Sequence, residues 1–169
     1  MIVATFGGVT IGLALLIRFL TEWWPGRKTL MKDPLGQAGA LLPFLLAWCY
    51  GALAILTVAG LIGWAADATL WISNWLGDAA LVWGVGGQVG QTGTAPPFLP
   101  LTQQGGGVVL LMTVAVVVAA KKSSAGRAIK TGAWCGICLA TSAGVAGFAA
   151  VPLAQGVNAI GEQVYGVLA

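Results

Sequence analysis

Every lysine and arginine of this chain falls within two short segments, and the sequence around them is almost wholly apolar. Arg18, Arg27, Lys28 and Lys32 make the first cluster, and Lys121, Lys122, Arg127 and Lys130 the second. Outside them the charged side chains are Asp67, Asp78 and Glu162. Such a chain has little with which to build a water-facing surface: 8% of its 169 residues are charged, against about 25% in an ordinary soluble domain. Lipid is the alternative cover for a sequence that is 58% hydrophobic. In a bilayer, short loops rich in Lys and Arg stay on the cytoplasmic side. The clusters therefore predict both a membrane and an orientation.

The apolar segments predict a single, all-α membrane domain over 1–169 with four transmembrane helices. The first covers 2–20, about 28 Å of helix and one hydrocarbon core. Met1 to Ile17 is uncharged, unlike the basic opening of a secretory signal, so this reads as an uncleaved span with its N-terminus outside. Trp23 and Trp24 follow it as interfacial aromatics. The loop 21–40 holds Pro25, Gly26 and Pro34. The second span covers 41–64, with Pro43 in its first turn and Trp64 at its outer end. From Asp67 to Val82 helical periodicity continues, with Asp67, Trp71, Asn74, Trp75 and Asp78 on one face. That segment is read either as an amphipathic helix lying in the outer interface, with Trp71 and Trp75 facing it, or as a continuation of the second span. Gly- and Pro-rich 83–107 is expected to be an outer loop. The third span, 108–120, is short, about 20 Å. The basic loop 121–131 precedes the fourth span, 132–152, and a tail. Both basic loops then lie inside and both termini outside, because burying one Arg or Lys mid-bilayer costs about 2.5 to 3.5 kcal/mol.

The residue inventory argues against catalysis. There is no His, which removes the commonest metal ligand and the usual base of Ser and Cys hydrolases. Three Cys are too few for a four-thiolate site. Cys135-Gly136-Ile137-Cys138 has the redox spacing, but it lies in an apolar helix without the strand–helix context such thiols use. The glycines from Gly84 to Gly93 lack the Lys-Ser/Thr ending of a phosphate loop. No ionisable residue falls mid-span, which disfavours a carboxylate relay. Neither a cofactor, a metal nor nucleic acid is expected. The basic residues are explained as anchors to anionic headgroups of the lipid bilayer.

The positive lead is a track of small residues. Gly132, Gly136, Ala140 and Gly144 recur every four residues, with Ala143 and Gly147 beside them. Small residues let membrane helices approach closely, either inside one bundle or between subunits. The expected function is that of a non-enzymatic, oligomerising structural subunit of a larger membrane assembly, such as secretion or conjugation machinery. Homo-oligomers or other membrane subunits are the expected partners, in a bacterial-type plasma membrane. The layout from Gly105 to Ala169, two apolar helices joined by a basic loop, is similar to that of conjugative pilins in topology alone. The alternative is a holin-like or small channel protein, with Thr113, Thr141 and Ser142 as candidate lining, or an uncoupled small-solute carrier. Hydroxyls in spans commonly bond their own backbone instead.

Overall fold

The computed structural model describes residues 4–24, 31–32, 34–57, 60–90, 101–140, 142 and 145–168. The described chain is all-helical: α1 Phe6–Trp23, α2 Pro34–Ile55, α3 Leu61–Val85, α4 Gln103–Lys122, α5 Gly126–Ala140 and α6 Val145–Leu168. Three of these, α1, α2 over Ala38–Ile55 and α4, are long and apolar enough to cross a membrane.

Several boundaries differ from those expected. The second span, expected over 41–64, starts at Pro34 and stops at Ile55, which leaves Pro43 in the helix interior. Leu56 and Thr57 close a tightened last turn onto the carbonyls of Leu53 and Ala54, and Gly60 then takes a φ of 97° that favours glycine. The residues after this break are a separate helix, α3, so they do not continue the second span. The third span is longer than expected. Gly105, Gly106 and Gly107 are helical, and α4 is 20 residues, about 30 Å, which removes the mismatch with a hydrocarbon core. The fourth, expected as one helix over 132–152, is two. α5 ends at Ala140, and α6 starts at Val145, holds Pro152 in its interior and takes in the expected tail.

The breaks have a common origin in an internal duplication. Residues 57–78 read TVAGLIGWAADATLWISNWLGD and residues 141–162 read TSAGVAGFAAVPLAQGVNAIGE. Aligned without a gap, they share Thr, Ala and Gly before the helix, the following Gly, an Ala pair, an Asn and a Gly. Leu61 and Val145, the first residues of α3 and α6, coincide in this alignment. Upstream, AWCYGALA at 47–54 is matched by AWCGICLA at 133–140. The chain is therefore two copies of one three-helix unit, α1–α3 and α4–α6, each with its basic loop between the first and second helix.

The units meet along α2 and α5, which run parallel. Gly132 abuts the Phe44 carbonyl and the Ala47 methyl, and one turn on Gly136 abuts Trp48 and Ala52. α1 runs the opposite way on the other side of α5, where Gly12 touches Cys138 and Leu139. Phe19, further along, stacks on Phe44 at 3.9 Å between ring centroids. The start of α1 and the end of α2 thus share one end of the bundle. α3 begins beside that end, and after it the Gly90 carbonyl accepts the Phe6 N–H at 2.9 Å. A helix of 25 residues, about 37 Å, whose two ends return to one end of a bundle must lie across it. Ala66 and Leu70 of α3 accordingly share a buried cluster with Ala52–Leu56, Val109, Ala140 and Ala154.

Candidate functional site

Polar chemistry gathers at the two ends of the bundle. At the end crossed by α3, the first turn of α1 would carry unmet N–H donors. Asn74 and Asp78 of α3 meet them. Asn74 Oδ1 accepts the Thr5 N–H at 3.1 Å, Asp78 Oδ1 accepts the Gly7 N–H at 3.2 Å, and Thr5 Oγ1 accepts the Gly8 N–H at 3.2 Å. The Asp78 carboxylate also faces the positive end of the helix dipole. Only glycines permit this approach: a Cβ on Gly7 or Gly77 would strike the other helix's backbone.

The second unit repeats the device. The Thr102 N–H and hydroxyl both donate to Asn158 Oδ1, at 3.0 and 3.2 Å, and Thr102 Oγ1 accepts the Gly105 N–H at 3.2 Å. Gly161 lies against Gln104 and Gly105 as Gly77 lies against Gly7. Glu162, in the place of Asp78, is exposed. The shared signature is Thr-x-x-Gly opening the first helix of a unit and Asn-x-x-Gly-acid within the third.

This geometry divides the face expected over Asp67–Asp78. Asn74 is buried and Asp78 turns to α1, whereas Trp64, Trp71 and Trp75 form an exposed row along α3. Ser73, also buried, accepts Trp134 Nε1–H at 2.8 Å and donates to the Thr69 carbonyl at 2.8 Å. Trp24 is exposed and packs edge-on against half-buried Trp23.

The small-residue track falls on the seam between units. Gly132 and Gly136 meet α2 of the same chain, and Ala140 is buried. Ala143 and Gly144 lie outside the described residues, and Gly147 falls in the first turn of α6. Cys135 and Cys138 are both 0% exposed, with the Cys135 thiol donating to the Gly12 carbonyl at 3.4 Å. Their smallness lets α1 close on α5. Of the hydroxyls considered as pore lining, Thr113 donates to the Val109 carbonyl and Ser142 to the Leu139 carbonyl, at 2.8 and 2.7 Å. Thr141 lies outside the described residues.

The opposite end is basic. Arg18, Lys32, Lys121, Lys122, Arg127 and Lys130 are exposed; Arg27 and Lys28 lie outside the described residues. Arg18 and Arg127, one from each cluster, line a single cleft of about 510 Å³ together with Glu22, Phe19, Trp23 and Thr131. Arg18 Nε donates to Glu22 Oε1 at 2.9 Å. Among the described residues no group of three His, Cys, Asp or Glu side chains could hold a metal ion.

Composition and periodicity missed Thr5, Thr102, Asn158, Gly7, Gly77 and Gly161. The repeat itself finds Asn158, Gly77 and Gly161, since it sets Asn74 and Asn158 at equal distance behind the Thr-x-Ala-Gly breaks; Thr5, Thr102 and Gly7 lie outside its aligned segments. No protein-family model, curated protein or solved structure matches the chain, so the comparison that informs its fold is the one between its own two halves.

Proposed function

We propose that the chain is an integral membrane protein crossed by α1, α2, α4 and α5, with α3 and α6 along the outer interface and both basic loops in the cytoplasm. In that membrane it works as a non-enzymatic, oligomerising subunit of a larger assembly. The observation that carries this reading is the parallel run of α2 and α5, which brings the described residues of both basic clusters to one end and the two Asn-capped helix starts to the other. The positive-inside rule then orients both units alike. α5 is only 15 residues, but it is enclosed by α1, α2 and α4, so its length need not match the lipid. Of the buried polar side chains, Ser73 and Asn74 accept hydrogen bonds from other helices and Ser142 bonds the Leu139 carbonyl, which supports a structural rather than a chemical role.

Assembly would use surface that the chain leaves uncovered. Gly105 and Val109 are the buried residues of α4, and Leu111, Val114 and Val118 stand exposed along it. Gly132 and Gly136 of the small-residue track already meet α2, so α4 is the better interface. Native mass spectrometry from lipid nanodiscs tests the proposal. Several copies per particle, reduced by Val114→Trp, are expected; a monomer at every concentration would overturn the assembly reading.

A further inference from the structure

The basic end carries two clefts that are copies of one another, and only one is charged. In the first, Leu15, Arg18, Phe19 and Glu22 of α1 lie with Arg127 and Thr131 of α5 around about 510 Å³. In the second, between α4 and α2, the same four places counted from the capping threonines hold Met112, Ala115, Val116 and Ala119, around about 430 Å³ and with no charged lining. The fold thus closes equally well without charge at these positions. Arg18 and Glu22 are 68% and 51% exposed, and an exposed pair of this kind adds little stability. The pair uses one of the five guanidinium N–H donors of Arg18. Two guanidinium groups against one carboxylate leave a positive charge over at the mouth, while Leu15 and Phe19 make the wall apolar. The first turn of α5 opens beside it, with the Gly126 and Ile129 N–H groups already bonded to the Ser123 and Ala125 carbonyls, so the charge of the mouth comes from the two arginines.

We propose that this cleft binds an anionic phospholipid, its phosphate between Arg18 and Arg127 and an acyl chain along Leu15 and Phe19. The site rests on the membrane reading above. A zwitterionic lipid presents the same phosphate but brings a cation that the surplus charge repels. A soluble phosphate has no chain for the apolar wall.

The test uses the full chain in nanodiscs of phosphatidylcholine with a minor fraction of phosphatidylglycerol, with retained lipid identified by native mass spectrometry. Phosphatidylglycerol should be retained about tenfold over its share, as a charge-assisted pairing would give. Arg18→Ala with Arg127→Ala should bring that to within about twofold, whereas Lys121→Ala with Lys122→Ala, an equal loss of charge at headgroup anchors outside the cleft, should leave it above about fivefold. Arg18→Lys with Arg127→Lys, which keeps the charge, should hold an intermediate preference and guards against a folding artefact. No preference in the native chain, an equal loss in the Lys121/Lys122 variant, or displacement by excess glycerol phosphate would each overturn the site. Entry into nanodiscs, read by size exclusion, is a separate outcome. A chain that stays out overturns the membrane reading, and one that enters without preference overturns the cleft alone.

Discussion

Asn74 and Asn158 are the residues on which the two units turn. Each places one amide oxygen on the N–H of a capping threonine from another helix, so each secures a local cap and a tertiary contact at once. Losing an N-cap acceptor costs about 0.5 to 2 kcal/mol, and leaving the donor unmet in apolar surroundings pushes toward the upper figure. Asn74→Ala and Asn158→Ala are each expected to lower unfolding free energy in mixed micelles by about 1 to 2 kcal/mol. Asn→Asp at either place, which keeps the acceptor, should recover most of it. The two threonines they cap, Thr5 and Thr102, belong to different helices, so the double variant should be additive to within about 0.5 kcal/mol. A full effect at one site and none at the other would mean that the units are not held alike. Glycines divide as sharply. A Cβ at Gly77 meets the Gly7 backbone, while at Gly84, on the same helix, nothing lies within 4 Å. Gly77→Ala should therefore cost about 3 kcal/mol by forcing the helices apart, whereas Gly84→Ala should be neutral or stabilise by up to about 1 kcal/mol through helix propensity. Equal melting temperatures for the two variants would refute the close crossing.

At the scale of elements, the apolar stretches revealed that α1 and α4 exist, but not the length of α4, because Gly105, Gly106 and Gly107 read as loop and are helical. The break before α6 was hidden from that signal, since Thr141-Ser142-Ala143-Gly144 is scarcely more polar than the helices beside it. Its twin Thr57-Val58-Ala59-Gly60 is where it could be read. Asn74 was hidden for a different reason. Helical spacing groups it with Trp71 and Trp75, but spacing alone does not say which side of a helix is inward. The track Gly63, Ala66, Leu70, Ser73 and Gly77 decides that, and it leaves the Trp row outside. An interfacial α3 has a metric consequence. Trp64 and Trp75 are 11 positions apart, about 16 Å along a helix axis. Spin labels at Trp64→Cys and Trp75→Cys should report depths within about 4 Å of each other if α3 lies in the interface. A difference near 16 Å would mean that α3 crosses the bilayer.

For the whole molecule, duplication narrows the topologies that the charge pattern allows. Two units of one fold, joined through parallel second helices, must point the same way, so the position of one basic loop fixes the other. The region between them has to start and finish on one side, as the Phe6–Gly90 hydrogen bond requires of α3. Labelling with a membrane-impermeant maleimide in intact cells tests orientation and parallelism together. Gln88, beyond α3, and Gln163, in α6, are exposed near the capped end, and Ser124 is exposed at the basic end. Cys135 and Cys138 are buried but Cys49 is half-buried, so the labelling is done in a Cys49→Ser background. Gln88→Cys and Gln163→Cys should react from outside, and Ser124→Cys only after the membrane is opened. The reverse pattern would overturn the positive-inside orientation while keeping the parallel units. Reaction of Gln88→Cys and Ser124→Cys from the same side would break the parallel arrangement itself, because no rigid rotation of this bundle brings its capped and basic ends to one face of a bilayer.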